Sequence, residues 1–225
     1  MKYKITRNFN MNRSIGFLFD LDGVIIDSES EYTRIWETIE ERFPTGIPSF
    51  ALKIKGQTLT KILDDNYRDP EIRKEVEIML HDLEKAMRYY YCEGAERLIT
   101  YLISEDIPRA IVTSSDEHKM AHLYQDIPDF RDNFTKIIDS TYVTHSKPDP
   151  EGYLRGAQYL QVSPERCAVF EDSVQGVKAG RAAGALVIGV IGTKTREELE
   201  PWCDIMVESL TEIDPISIIK ILNSR

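Results

Sequence analysis

Cysteine is scarce in this chain, which has three cysteines among its 225 residues. Cys92, Cys167 and Cys203 are odd in number and scattered along the sequence. This pattern argues against a disulfide framework and against a zinc site, whose ligands recur at short spacings. We expect reduced thiols in the core of a protein from a reducing compartment.

Long apolar runs are also lacking. No stretch approaches the ~20 apolar residues that a helix needs to cross a bilayer. Residues 1–13 carry four basic residues, as the start of a signal peptide does, but the apolar stretch Ile15–Phe19 stops at Asp20. That stretch is too short for the core of a signal peptide. We therefore expect a soluble, cytoplasmic protein.

Positive charge is the third shortage, because 28 Lys and Arg stand against 38 Asp and Glu, giving a formal net charge of -10. An acidic surface repels nucleic acid and anionic membranes, so we expect neither as a partner. An anionic substrate would need a local source of attraction, such as a metal ion, a lysine or helix N-termini.

The order of apolar patterns predicts an α/β fold with a helical insertion. Ile15–Phe19 is predicted as a short buried strand. Residues 31–90 carry apolar side chains at helical spacing, including one helix predicted over Glu71–Tyr90. After Gly94, predicted strands alternate with predicted helices, which is typical of a parallel sheet with helices on both faces.

These patterns predict three parts of the chain. They are an α/β catalytic core at 14–29 and 94–225, a helical cap at 30–93, and an N-terminal tail at 1–13. The chain would cross between core and cap near Asp27–Ser30 and Tyr91–Gly94, and we expect these crossings to serve as hinges.

Polar residues follow four of the predicted strands. Ligands of open parallel sheets bind beyond the carboxyl ends of the strands. These ends carry, in chain order, Asp20 and Asp22, then Thr113, Ser114 and Ser115, then Lys147, and finally Glu171 and Asp172. We expect their side chains to meet at one edge of the sheet.

The grouped carboxylates favour phosphoryl chemistry with a metal ion. Four carboxylates in one cleft cannot all stay ionised without a cation, and Mg²⁺ suits oxygen ligands beside a phosphate. An ionised aspartate can attack phosphorus, and a second carboxylate can exchange a proton with the leaving oxygen and with water. A lysine and a hydroxyl can hold the phosphoryl oxygens.

The segment Phe17-Leu18-Phe19-Asp20-Leu21-Asp22-Gly23-Val24-Ile25-Ile26-Asp27-Ser28 resembles the first motif of the haloacid dehalogenase superfamily. Thr113, Lys147 and the pair Glu171-Asp172 resemble its second, third and fourth motifs. The helical insertion resembles the small cap of that superfamily, and the segments around Lys147 and Glu171 resemble its β-phosphoglucomutase-like branch, which includes sugar phosphatases. The resemblance implies a Rossmann-like core.

The resemblance also implies a role for each matching residue. Asp20 would be the nucleophile and a Mg²⁺ ligand. Asp22 would be the general acid/base, with its backbone carbonyl on the metal ion. Thr113, assisted by the Ser114 amide, would bind the phosphate, and Lys147 would neutralise charge between the phosphate and Asp20. Asp172 would complete the metal site, with Glu171 as a further ligand or as support.

The cap decides between a phosphatase and a mutase. The mutase carries a histidine early in its first cap helix, where this chain has Tyr32. It also carries an arginine shortly after a Lys-Gly pair, whereas Lys55-Gly56 is followed here by Gln57-Thr58-Leu59-Thr60, with no arginine. A bisphosphorylated sugar would therefore be poorly held. Gly56, Gln57 and Thr58 are our candidates for substrate specificity.

We accordingly predict a monomeric, Mg²⁺-dependent phosphatase that acts on a small phosphorylated metabolite of the sugar phosphate kind. A phosphosugar mutase, a catalytically silent phosphate- or metal-binding domain and, more weakly, a dehalogenase are the alternatives. Three smaller features have two interpretations each. Ser114 with Glu117, and Asp172 with Gln175, also fit helix N-termini, and Asp27-Ser28 fits either the start of a helix or a supporting hydrogen bond.

Overall fold

The computed structural model describes residues 15–54, 59–192 and 194–225. Its sheet has six strands, each parallel to its neighbours, in the order β3-β2-β1-β4-β5-β6. In chain order the strands are β1 (Gly16–Phe19), β2 (Arg109–Val112), β3 (Lys136–Ile138), β4 (Cys167–Glu171), β5 (Leu186–Val190) and β6 (Ile205–Val207). The predicted parallel α/β architecture is confirmed. The predicted tail at 1–13 lies outside the described residues.

Strands β1 and β4 lie side by side at the centre of the sheet. Phe19 of β1 pairs with Ile111 of β2 on one side and with Phe170 of β4 on the other. Every residue of β1 and β4 is buried, as expected for strands covered on both faces. The rings of Phe19 and Phe170 stack with centroids 4.7 Å apart. Because all the strands run in one direction, their carboxyl ends form one edge.

Helices alternate with the strands after β2, whereas several helices lie between β1 and β2. The described helices are α1 (Ser28–Arg42), α2 (Phe50–Lys53), α3 (Leu59–Asn66), α4 (Pro70–Lys85), α5 (Ala95–Ser104), α6 (Glu117–Asp126), α7 (Glu151–Leu160), α8 (Val174–Ala182), α9 (Arg196–Leu199) and α10 (Pro215–Ser224). Helices α2 and α9, of one turn each, are not indicated by the apolar pattern. Within the described ranges, no helix is long and apolar enough to cross a membrane.

Helix α4 ends earlier than its apolar pattern predicts. The prediction of one helix over Glu71–Tyr90 is wrong at its end, because α4 stops at Lys85. The backbone N–H of Tyr89 donates to Asp126 of α6 at 2.7 Å, and Tyr91 forms a β-bridge with Ile26. These tertiary hydrogen bonds replace the helical ones, so the segment after α4 runs along the core.

Helix α7 lies close against the sheet because two of its residues are glycines. A Cβ on Gly152 would lie 2.8 Å from Val112 Cγ1, and one on Gly156 would lie 2.9 Å from Leu18 Cδ2. Such distances are tighter than side chains tolerate in a close-packed core. The close approach buries Tyr153, which lies between the glycines.

Candidate active site

The carboxyl edge of the sheet gathers the polar residues that the sequence predicts there. Asp20 directly follows β1, and its N–H donates to the Phe170 carbonyl of β4 at 2.9 Å. Thr113 directly follows β2. The side chains of Asp20, Thr113, Glu171 and Asp172 are buried, although buried polar groups are otherwise rare among the described residues. The strand ends thus form one compact polar cluster.

Lys147 joins three of these strand ends. Its ammonium donates to Asp20, to Glu171 Oε1 at 2.6 Å and to the carbonyl of Val112 at 3.0 Å. Burial lowers the pKa of Lys147, but the carboxylates of Asp20 and Glu171 outweigh burial and raise its pKa above the usual value. Lys147 is therefore a fixed positive charge beside Asp20.

Both oxygens of Glu171 accept hydrogen bonds. Oε1 accepts from Lys147 and from the Tyr153 hydroxyl at 2.8 Å. Oε2 accepts from the backbone N–H groups of Asp172 and Ser173, each at 3.1 Å, and from the Ser173 hydroxyl at 2.9 Å. A carboxylate with this many donors is held in one orientation. This arrangement favours a role for Glu171 in holding Lys147 over direct contact of Glu171 with a metal ion.

Negative charge exceeds positive charge around Asp20. Burial raises the pKa of Asp20 and Lys147 lowers it. The carboxylates of Glu171, Asp172 and Asp22 raise it again, so the pKa lies well above the usual value. Carboxylate and carbonyl oxygens are the ligands that hard divalent cations prefer. The donor set and its charge therefore fit a cation such as Mg²⁺.

Asp22 lies in a tight turn after β1. The N–H groups of Ile25 and Ile26 both donate to the Leu21 carbonyl at 2.9 Å. Gly23 adopts a φ of 74°, which glycine tolerates better than other residues. This turn carries the Asp22 side chain from the strand end to the mouth of the site.

Three donors hold the Asp22 carboxylate. Ser28 donates to Oδ1, Lys119 of α6 donates to Oδ1 at 2.6 Å, and Ser115 donates to Oδ2 at 2.9 Å. Burial raises the pKa of Asp22. The charge of Lys119 and the three hydrogen bonds lower this pKa by more than burial raises it, so the pKa of Asp22 is below its usual value. Both interpretations of Asp27-Ser28 apply, because Asp27 caps α1 and Ser28 supports Asp22.

Helix capping differs from the two pairs considered from the sequence. Asp116, not Ser114, caps α6 and accepts from the Lys119 N–H at 2.9 Å. Ser173, not Asp172, caps α8 and accepts from the Gly176 N–H at 3.0 Å. The capping residue lies two residues later than predicted for α6 and one residue later for α8. Ser114 and Asp172 therefore lie at the strand ends, before the helices begin. Ser114 is exposed.

A cleft of about 1210 Å³ opens beside Asp22. Helix α6 and the Ser114–Asp116 loop line one side of it, and α1 and α4 line the other. On that second side the Tyr32 hydroxyl donates to Glu84 at 3.1 Å. The cleft is wide enough for a small molecule and reaches the Asp22 carboxylate. Gly56, Gln57 and Thr58 lie outside the described residues.

Sequence patterns alone give no role in this site to three of its residues. Lys119 lies in the first turn of α6, and its contact with Asp22 depends on how α6 is oriented. Tyr153 follows Lys147 closely and is buried, so an aromatic residue early in the helix after Lys147 was the available signal. Ser115 was named as a strand-end residue without a role, and it donates to Asp22.

The parallel sheet, the acidic cluster bridged by Lys147 at its carboxyl edge and the adjoining cleft are the features of an α/β enzyme whose site is built mainly from acidic residues. The model of the haloacid dehalogenase-like hydrolase family matches residues 16–184. The chain belongs to this family. The predicted resemblance to the superfamily is confirmed, as is the prediction of a phosphohydrolase.

One curated relative and two solved structures are similar to the chain over most of its length. Hexitol phosphatase A of Escherichia coli is 31% identical over 211 residues, which cover 89% of this chain and 94% of that enzyme. A hydrolase of the family from Deinococcus radiodurans, solved with bound phosphate and sodium, has a TM-score of 0.79 at 24% identity, covering 94% of this chain and 98% of its own. A β-phosphoglucomutase from Clostridium difficile has a TM-score of 0.68 at 24% identity, covering 93% and 97%.

Proposed function

We propose that this protein is a Mg²⁺-dependent phosphatase that hydrolyses a small phosphorylated metabolite of the sugar phosphate class. The observation that carries the proposal is the Lys147 ammonium, which bridges Asp20 and Glu171 while Asp22 faces the cleft. The likeness to hexitol phosphatase A over most of both chains supports a phosphorylated polyol or sugar as substrate.

In the first step, an oxygen of Asp20 attacks phosphorus and the bond from phosphorus to the ester oxygen breaks. The negative charge of the bound phosphate ester would favour the protonated form of Asp22 against the effect of Lys119. Asp22 would then give its proton to the departing alcohol, and the phosphoryl group becomes an acyl phosphate on Asp20. Thr113 and the Ser114 N–H would hold the phosphoryl oxygens. Lys147, fixed by Glu171, reduces the repulsion between the carboxylate and the phosphate.

In the second step, water attacks the phosphoryl group on Asp20. Asp22, now ionised, takes a proton from this water, and the bond between phosphorus and the Asp20 oxygen breaks. Inorganic phosphate leaves, and Asp20 and Asp22 return to their starting protonation states. Both steps use the same two carboxyl groups, one as nucleophile and one as proton carrier.

Asp20, Asp172 and the backbone carbonyl of Asp22 would hold Mg²⁺. Asp172 is buried and close enough to Asp20 to raise its pKa. The ion, when bound, offsets the charge that carboxylates and phosphate bring together. Glu171 would support Lys147 and not bind the ion, because its oxygens already accept five hydrogen bonds.

Residues 30–93 would act as a cap over a core formed by 14–29 and 94–225. The cleft between α6 on one side and α1 and α4 on the other would admit substrate when the cap opens, with hinges near Asp27–Ser30 and Tyr91–Gly94. A phosphosugar mutase is less well supported. Tyr32 stands where the mutase has its histidine, and its hydroxyl is engaged by Glu84.

The test is phosphate release from sugar phosphates, hexitol phosphates, nucleotides, small phosphoacids and pyrophosphate, with Mg²⁺ or with EDTA. We expect metal-dependent release from one compound class and none by the Asp20→Asn variant. Absence of release from every compound would refute the phosphatase. β-Glucose 1-phosphate with a bisphosphate primer would then test the mutase.

A further inference from the structure

Glu84 lies in the last turn of α4 and lines the same cleft as Asp22. Its side chain is 30% exposed, so a molecule in the cleft can reach the carboxylate. Lys119 donates to Asp22 at 2.6 Å and lies over the ring of Tyr32, 5.5 Å from its centroid. The Tyr32 hydroxyl in turn donates to Glu84 Oε1 at 3.1 Å. An ammonium and an aromatic ring thus connect the two acidic residues, and Glu84 lines a part of the cleft away from the reacting carboxylates.

Two neighbours orient the Glu84 carboxylate without using it up. Oε1 accepts from Tyr32, and Oε2 lies 3.1 Å from His81 Nδ1. Burial and the charge of Glu84 raise the pKa of Tyr32, so the hydroxyl keeps the proton that it donates. A carboxylate has about four lone-pair positions, two on each oxygen. Each oxygen of Glu84 can therefore accept a further hydrogen bond from a molecule in the cleft.

The lysines of the cleft already donate to carboxylates. The described residues that line it include Lys85 and Lys119 but no arginine. Lys85 donates to Asp82 at 2.9 Å, and Lys119 donates to Asp22. A second phosphate on the substrate would meet the negative charge of Glu84 without a cation reserved for it, and such an unpaired like charge selects against a ligand. A hydroxyl would instead donate to Glu84 in a charge-assisted hydrogen bond.

The rest of the described lining suits an uncharged molecule that carries both hydroxyls and C–H groups. His81, His118 and His122 all line the cleft, and a neutral imidazole can donate through one nitrogen and accept through the other. Met87 and Tyr89 add apolar surface to the same wall. Ligand sites commonly combine apolar surface with a few oriented polar groups in this way.

We propose that Glu84 determines substrate specificity, by accepting hydrogen bonds from the hydroxyls of a polyol monophosphate and by repelling a second phosphate. Tyr32 is a positioning residue that acts through Glu84. This proposal rests on the proposed function and deepens it, because it assigns recognition of the alcohol portion to one carboxylate. It narrows the substrate class to polyhydroxylated alcohols that carry a single phosphate and no other charge.

Two esters with the same leaving group separate this role from a structural one. Glucitol 6-phosphate and hexyl phosphate both release a primary alcohol from a six-carbon chain, and only the first has other hydroxyls. For Glu84→Gln we expect the ratio of kcat/KM for glucitol 6-phosphate to kcat/KM for hexyl phosphate to fall about 10- to 100-fold, the usual effect of losing a hydrogen bond to a charged group. The change should reside mainly in KM, because bound substrate already makes this contact.

A second phosphate should have the opposite effect. Glu84→Gln should raise kcat/KM for glucitol 1,6-bisphosphate about tenfold, because the variant no longer repels the second phosphate. A gain on one substrate together with a loss on another cannot come from general damage to the fold. Tyr32→Phe should lower the ratio of glucitol 6-phosphate to hexyl phosphate by a smaller factor. Glu77→Gln is the matched control, since Glu77 lies on the same helix and pairs with Arg73 at 3.4 Å, and it does not line the cleft.

The failure of this proposal can be told apart from failure of the proposed function. If the parent protein cleaves p-nitrophenyl phosphate and Asp20→Asn does not, while Glu84→Gln leaves the ratio of the two six-carbon esters unchanged, the phosphatase stands and Glu84 has no part in specificity. An equal loss for both esters, or the same shift in Glu77→Gln, also overturns the proposal. Circular dichroism melting of Glu84→Gln and Tyr32→Phe identifies loss of fold. If the parent cleaves no phosphate ester, the proposed function fails and this proposal fails with it.

Discussion

Gly176 provides the space that the Glu171 carboxylate occupies. A Cβ on Gly176 would overlap both carboxylate oxygens of Glu171. The first turn of α8 therefore passes directly over the group that holds Lys147. A glycine in a helix costs stability relative to alanine, so this one is retained against local preference for the sake of a neighbouring side chain.

We expect Gly176→Ala to lower the free energy of unfolding by about 1–3 kcal/mol, the usual cost of overpacking. It should also lower kcat, because a displaced Glu171 no longer fixes Lys147 beside Asp20. Urea denaturation and phosphate release measure the two effects. Gly192→Ala is the control, since a Cβ there meets no atom within 4 Å. Equal behaviour of the two variants would contradict this account of Gly176.

Asp20→Asn should abolish turnover, because an amide oxygen does not replace the nucleophilic carboxylate. The free energy of unfolding should be affected less than the activity. Burial and the neighbouring carboxylates already disfavour the charged form of Asp20, as its raised pKa shows, so the loss of that charge should cost the folded state little. Phosphate release and thermal melting of the same preparation check both statements. Normal turnover by this variant would remove Asp20 from the mechanism.

Mg²⁺ should raise the melting temperature in a concentration-dependent way, because an ion that binds the folded state alone stabilises that state. EDTA should reverse the shift. Asp172→Asn should need more Mg²⁺ for the same shift, whereas Asp132→Asn, at an exposed position, should behave as the parent protein. A shift of equal size from sodium chloride at matched ionic strength would argue for general screening instead.

Glu151, which lies near Lys147 in sequence, should contribute less to the free energy of unfolding in acid than at neutral pH. Hydrogen bonds from the His145 N–H and from Arg155, and also from the Thr144 N–H, lower the pKa of Glu151 from 4.5 to about 2. A lowered pKa in the folded state contributes stability above pH 4.5, and this contribution is lost as pH falls towards 2.

Urea denaturation of the parent and Glu151→Gln proteins at pH 7, 5, 4 and 3 tests this. We expect the parent to be more stable at pH 7 and 5, and the difference to shrink at pH 4 and 3. A difference that is constant over this range, or that grows in acid, would show that the charge on Glu151 does not stabilise the fold.

Sequence alone predicts the strand-end residues well, for a simple reason. Buried parallel strands are short apolar runs, and whatever polar residue ends such a run lies at the same edge of the sheet. Asp20, Thr113 and Asp172 follow from this rule. Lys147 is harder, because a loop separates it from β3. The strand-end rule placed it at this edge, but its role beside Asp20 came from the family resemblance.

The sequence could not predict which side chains of different helices and strands contact each other. Lys119 meets Asp22 only because α6 presents that side chain toward the turn after β1. The end of α4 depends in the same way on Asp126, which accepts a hydrogen bond from the Tyr89 N–H although the two residues are far apart in sequence. Helical periodicity continues through that segment, so local pattern and tertiary hydrogen bonding disagree, and the latter prevails.

The sheet order has a consequence for protein synthesis. β1 is made first but lies between β2 and β4, and the Phe19–Phe170 pairing joins distant parts of the chain. A nascent chain on the ribosome therefore exposes one edge of β1 until β4 has emerged, and such open edges favour aggregation. Asp20 is translated long before Lys147 and Asp172. Unfinished chains would thus hold Asp20 without the charges around it, and under the proposed mechanism they would not hydrolyse phosphate esters.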